Sequence, residues 1–132
     1  MKIEIIYDNK TKEKEEFIEL IKNNIKDKQK IKSVKFIEKD IIEYNKKSDL
    51  YIIFADDDNL FKNLKDNNNK ENTIIITSTI KVEYVKTLLN YSYLLLYIKT
   101  NKDIIIYQII NKVHKINKMN KGKTNAKTIN NE

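Results

Sequence analysis

The sequence predicts an α/β fold, a doubly wound sandwich on one five-stranded parallel sheet in order 2-1-3-4-5 with helices on both faces. Three observations carry this expectation. Five short apolar runs, KIEIIY, SVKFIE, DLYIIF, TIIITS and SYLLLYI, recur along the chain. Most are continuous rather than alternating, as strands buried on both faces are. Segments with helical spacing of apolar residues separate them, so the order is βα repeated five times, and 132 residues suit one domain with one core.

Taken in order, KIEIIY (2–7) reads as a buried strand that stops at Asp8-Asn9. From Thr11 the period changes. Phe17, Ile18, Ile21 and Ile25 form one helical stripe, with Thr11 or Asn9 as the N-cap. SVKFIE (33–38) alternates Val34, Phe36 and Glu38, which marks a half-buried edge strand. Residues 39–47 carry Ile41, Ile42 and Tyr44 on a short amphipathic helix. DLYIIF (49–54) is the third strand, and NLFKNL (59–64) a short third helix. After the loop DNNNKEN comes the fourth strand, TIIITS (73–78), then a helix whose inner face is Ile80, Tyr84, Val85, Leu88 and Leu89. SYLLLYI (92–98) is the fifth strand. The last helix starts near Asp103 and turns Ile106, Ile109, Ile110, Val113 and Ile116 inward. Beyond Met119 the apolar period is lost, so a domain over 1–118 and a basic, disordered tail over 119–132 are expected. This arrangement is flavodoxin-like, and right-handed crossovers put the first and fifth helices on one face and the other three on the opposite one.

Composition excludes several classes of function. There is no cysteine, hence no disulfide, thiolate metal site or cysteine nucleophile, and the single histidine, His114, is expected at the surface. Gly122 is the only glycine and lies in the tail, so no glycine-rich phosphate loop can form. No run approaches the length of a membrane span, and the N-terminal apolar run is too short for a signal peptide. A cytoplasmic protein without membrane contact is expected. The net charge of +7 comes from lysine alone, because the chain has no arginine. Arginine supplies the bidentate contacts that read guanine and phosphate, so specific nucleic-acid recognition is not expected.

In an open α/β sheet the working edge is the carboxyl end of the strands. Asp8 follows strand one, Phe54 to Asp58 strand three, Thr77 and Ser78 strand four, and Lys99 strand five. An acid, a hydroxyl and a lysine at those strand ends resemble the response-regulator receiver domain, and DLYIIF, TIIITS and YLLLYIKT stand in that family's order over about residues 2–118. The resemblance implies Mg²⁺ held by acids after strand one, a phosphoaspartate ending strand three, and phosphoryl contacts from the hydroxyl and the lysine. Asp8 matches one of the two metal-binding acids, while Tyr7 occupies the other position. Thr77 and Lys99 match their positions, but Phe54 stands at the phosphoacceptor. Thr100 replaces the usual proline, and Leu96 the usual aromatic switch. Asp56, two residues beyond Phe54, lies on the same side of an extended strand. Asp57 and Asp58 suit the N-terminus of the next helix.

The expectation is therefore an atypical receiver-like regulatory domain that has lost its phosphoacceptor. It is not an enzyme, needs no cofactor and acts by binding a regulatory protein or a second copy of itself. The resemblance places the partner face on the fourth helix, fifth strand and fifth helix, where Tyr84, Tyr91 and Tyr107 fall, and tyrosine suits interface cores. Two alternatives stand beside it. One is an active stand-alone response regulator, phosphorylated on Asp56 by a histidine kinase with Mg²⁺ bound by Asp8 and Asp56. The other is a basic protein that binds nucleic acid without reading its sequence, through the last helix and the tail.

Overall fold

The computed structural model describes residues 1–7, 11–28, 34–39, 48–55, 72–78 and 94–130, the side chains of Lys28 and of residues beyond Met119 excepted. The elements are β1 (Lys2–Tyr7), α1 (Lys12–Lys28), β2 (Lys35–Lys39), β3 (Leu50–Phe54), β4 (Thr73–Thr77), β5 (Leu94–Tyr97) and α2 (Lys102–Asn130). All strands are parallel, in the expected order β2-β1-β3-β4-β5, an arrangement that fits a flavodoxin-like fold. Ile3 registers with Phe36 on one side and Leu50 on the other, and Phe54 registers with Ile76. The amino ends of β1 and β3 are tied reciprocally. Lys2 N donates to Asp49 Oδ2 at 2.8 Å, and Asp49 N donates to Lys2 O at 2.9 Å.

Alternation along each strand sends successive side chains to opposite faces. Ile3, Ile5, Leu50, Ile52, Phe54, Ile74 and Ile76 point to one face. There they join Phe17, Ile18, Ile21 and Ile25 of α1 and Ile105, Ile109, Val113 and Ile116 of α2 in a single buried cluster. Burying each such aliphatic side chain is worth about 1.5–3 kcal/mol, so the stripe on α1 is enough to fix that helix to the sheet. The two helices also touch each other. The opposite face is buried as well, through Glu4, Ile6, Tyr51, Ile53, Thr73, Ile75 and Thr77. The helices expected within 39–47, 59–64 and 80–89 fall outside the described residues, apart from Lys39, which ends β2.

Local chemistry explains where the elements begin. Thr11 caps α1, its Oγ1 accepting a hydrogen bond from Lys14 N at 3.2 Å, and Glu13 and Glu15 sit in the first turn, where the helix dipole favours acids. β2 is an edge strand, as the half-buried pattern predicts. α1 covers it. Lys22 and Lys26 lie over the Phe36 ring at 6.0 and 5.6 Å, and Lys22 Nζ donates to Glu38 Oε2 at 2.8 Å. Partial burial lowers the affinity of the Lys22 ammonium for its proton, but the hydrogen bond and charge of Glu38, with help from Glu19, outweigh it and hold the group above its ordinary value.

Two details of the last helix differ from expectation. Its cap is Asn101, whose Oδ1 accepts from Asp103 N at 2.8 Å, so Asp103 belongs to the first turn. Ile105 is fully buried although the helical spacing marks Ile106, Ile109, Ile110, Val113 and Ile116 as inward, and Ile110 is only half-buried. The helical backbone runs to Asn130, past Met119, where the inward apolar spacing ends. His114 is exposed, as expected. Among the described residues no helix is long and apolar enough to cross a membrane.

Candidate functional site at the carboxyl edge of the sheet

Because all strands run in one direction, their carboxyl ends meet at one edge. The structure brings Phe54, Thr77 and Lys99 to that edge. β3 ends at Phe54, and Ala55 N donates to Ile76 O at 3.0 Å, which keeps β3 and β4 paired to their last residues. β4 ends at Thr77, whose carbonyl accepts from Ile98 N at 2.9 Å. β5 passes into a turn closed by Thr100 N donating to Tyr97 O at 2.9 Å, with Lys99 exposed at its tip. Tyr97 registers with Thr77, so Lys99 lies two residues beyond the hydroxyl-bearing position on the neighbouring strand.

Phe54 is 1% exposed, and its ring meets Phe17 of α1 edge to face, with centroids 6.1 Å apart. Such a pair adds about 0.5–1.5 kcal/mol to what burial alone supplies. The position that the receiver pattern reserves for a carboxylate is therefore part of the α1 core. Thr77 is 4% exposed and makes further contacts, while Lys99 has no ion-pair partner among the described residues. An ammonium can pair with an anion and a hydroxyl can donate a hydrogen bond to it, but an aromatic ring cannot accept a phosphoryl group. Among the described residues no group of three or more acids or histidines gathers to hold a metal ion. Asp8, Asp56, Tyr84 and Tyr91 lie outside the described residues. Tyr107, on α2, is 62% exposed.

Two charged side chains were missed by reading the sequence. Lys14, in the first turn of α1 just past the carboxyl end of β1, is buried, although its neighbours suggested a solvent-facing position. Glu4 is fully buried in β1, between β2 and β3, and points away from α1 and α2. Both of its carboxylate oxygens lack a hydrogen-bond partner, and the ammonium of Lys39 lies 3.8 Å from Oε1. The signal was present: an acid interrupting the apolar run KIEIIY. Ser48 Oγ is likewise buried without a hydrogen bond, next to the Tyr51 hydroxyl that accepts from Ser48 N at 3.0 Å.

No protein-family model matches the chain, and no curated protein matches it.

Proposed function

We propose that the chain is a receiver-like regulatory domain whose phosphoacceptor position has been given over to the core, and which acts by binding a protein rather than by phosphoryl transfer. The observation that carries this reading is Phe54, buried against Phe17 at the end of a central strand, with Thr77 and Lys99 at the ends of the next two. The sheet order supports it, because the same order underlies the resemblance. In this reading the expected helices over 39–47, 59–64 and 80–89 cover the second face. The domain is not an enzyme, requires no Mg²⁺ and works in the cytoplasm. Its partner, a regulatory protein or a second copy, covers the face that includes Tyr107, Tyr84 and Tyr91. An exposed tyrosine gives a large, rigid contact at modest entropic cost.

Incubation with acetyl phosphate and Mg²⁺, followed by intact-mass measurement, tests the loss of phosphoryl transfer. No adduct is expected. A mass gain of one phosphoryl group that disappears in Asp56→Ala would instead establish the active response regulator. Solution mass as a function of concentration, for wild type and Tyr84→Ala, Tyr91→Ala and Tyr107→Ala, tests whether the partner is a second copy.

A further inference from the structure

The two edges of the sheet are guarded unequally. β2 carries Lys35, Glu38 and Lys39, and Lys22 and Lys26 of α1 lie over its Phe36 ring. β5, at the opposite edge, consists of Leu94, Leu95, Leu96 and Tyr97, four half-buried residues without a charge. Charged side chains and covering elements keep an edge strand from pairing with another chain, and β5 has no charge of its own to do so. The ladder fixes which backbone groups this edge presents. Ile98 N donates to Thr77 O at 2.9 Å, so the backbone groups of Ile98 point toward β4. Direction alternates along a strand, so those of Leu94 and Leu96 also point to β4, while those of Leu95 and Tyr97 point outward. Tyr97 O receives Thr100 N in the turn that follows. Leu95 N–H, Leu95 C=O and Tyr97 N–H are the groups presented to a further strand.

Beside this edge an open groove of about 720 Å³ reaches from Leu94 to α2, where Gln108, Asn111, Lys115 and Lys118 line it. Among the described residues that line it there is no carboxylate. Lys115 and Lys118, three residues apart and so on one side of the helix, are exposed and have no ion-pair partner among the described residues.

We infer that this edge takes an extended acidic segment of a partner protein, added beside β5 as a further strand, with carboxylates turned into the groove toward Lys115 and Lys118. A peptide backbone offers both the donor that Leu95 C=O requires and the acceptors that the two N–H groups require. Phosphodiesters offer acceptors and no donor. Pairing β5 with β5 of a second copy would bring two sets of the same lysines together, whereas carboxylates match them. The inference rests on the protein-binding reading for the kind of partner, and on β5 and α2 for the site. Phosphoryl uptake at the carboxyl edge would overturn that reading and leave strand addition standing, and a failure to bind peptide would overturn only the latter.

Fluorescence anisotropy with the full chain and a labelled peptide of Val-Glu repeats tests it. A peptide of Val-Lys repeats should bind at least about tenfold more weakly. The pair Lys115→Gln/Lys118→Gln should weaken Val-Glu binding at least about tenfold. The control pair Lys12→Gln/Lys35→Gln, which makes the same change in net charge at exposed positions on α1 and β2, should leave it nearly unchanged. Two further peptides carry N-methyl groups on every valine or on every glutamate. Only one of these two sets of N–H groups faces β5 in an added strand, so one methylated peptide should lose at least about tenfold in affinity and the other should keep most of it. Equal affinities of the two methylated peptides, or equal loss in the two lysine pairs, would reduce the effect to net charge and overturn the inference. No binding of the Val-Glu peptide by wild type, or equally tight binding of an oligodeoxythymidylate, would overturn it as well. A wild-type dimer that dissociates as the peptide binds would make the occupant a second copy and overturn it too.

Discussion

Glu4 offers the sharpest test of the energetics. Its carboxylate is fully buried, both oxygens lack hydrogen bonds, and Lys39 Nζ lies 3.8 Å away, beyond hydrogen-bond reach. At that separation and an effective dielectric constant of about 20, the attraction is about 4 kcal/mol. Withdrawing a carboxylate from water costs several kcal/mol, so the pair comes out near balance only while the cation is present. Lys39→Met should therefore leave an uncompensated charge and destabilise the protein by about 3–5 kcal/mol. Glu4→Leu removes the unpartnered oxygens and keeps the volume. Glu4→Leu should be neutral to about 2 kcal/mol more stable. Urea unfolding followed by far-ultraviolet circular dichroism reads these differences as midpoint shifts at constant slope. The reasoning fails if Glu4→Leu loses more than about 2 kcal/mol while Lys39→Met stays within about 0.5 kcal/mol of wild type. That pattern would mean that the carboxylate is held by something other than the lysine.

Thr11→Ala should cost about 1 kcal/mol in the same assay, because it removes the oxygen that receives Lys14 N. Glu38→Gln should cost less than about 1 kcal/mol, since the Lys22–Glu38 pair is partly exposed. The Lys22 ammonium is raised from 10.5, so the stabilisation is fully present below that pH and is lost as pH rises through the higher folded value. The gap between wild type and Glu38→Gln, measured against pH, should close only in strong alkali, and it should shrink in about 1 M salt. Phe54→Asp should not restore a phosphoacceptor. It removes the ring packed on Phe17 and buries a carboxylate, for a loss of more than about 4 kcal/mol, and a folded variant that took up a phosphoryl group would refute the core assignment of this position.

Much of the fold could be read directly because strands and helices here differ in period as well as in composition. The stripe Phe17, Ile18, Ile21, Ile25 is buried in full, and the half-apolar SVKFIE does lie at a sheet edge. Sheet order followed from reading the five βα units as a doubly wound, flavodoxin-like sandwich. Element ends were harder. Asn101 and Asp103 are both good caps two residues apart, and only the hydrogen bond from Asp103 N decides between them. Loss of apolar period marks where packing ends and not where helical backbone ends, so the end of α2 could not be read from the spacing.

The orientation of buried strands could not be read at all from DLYIIF or TIIITS, since a continuous apolar run has no contrast between faces. The structure supplies that contrast. On β1, β3 and β4 the face toward α1 and α2 is lined by Ile3, Ile5, Leu50, Ile52, Phe54, Ile74 and Ile76, with the half-buried Tyr7 at its carboxyl end. Glu4, Tyr51, Thr73 and Thr77 all belong to the other face. Phe54 registers with Ile76, and Thr77 is one step further along, so alternation sends the acceptor position and the hydroxyl to opposite faces. A phosphoryl site needs its acceptor, its hydroxyl and its lysine to converge on the same few ångströms. With Phe54 turned into the α1 core and Thr77 turned away from it, that convergence is lost. A carboxylate at residue 54 would face Phe17 rather than Thr77, and this is the physical reason that no phosphoryl transfer is expected at residue 54.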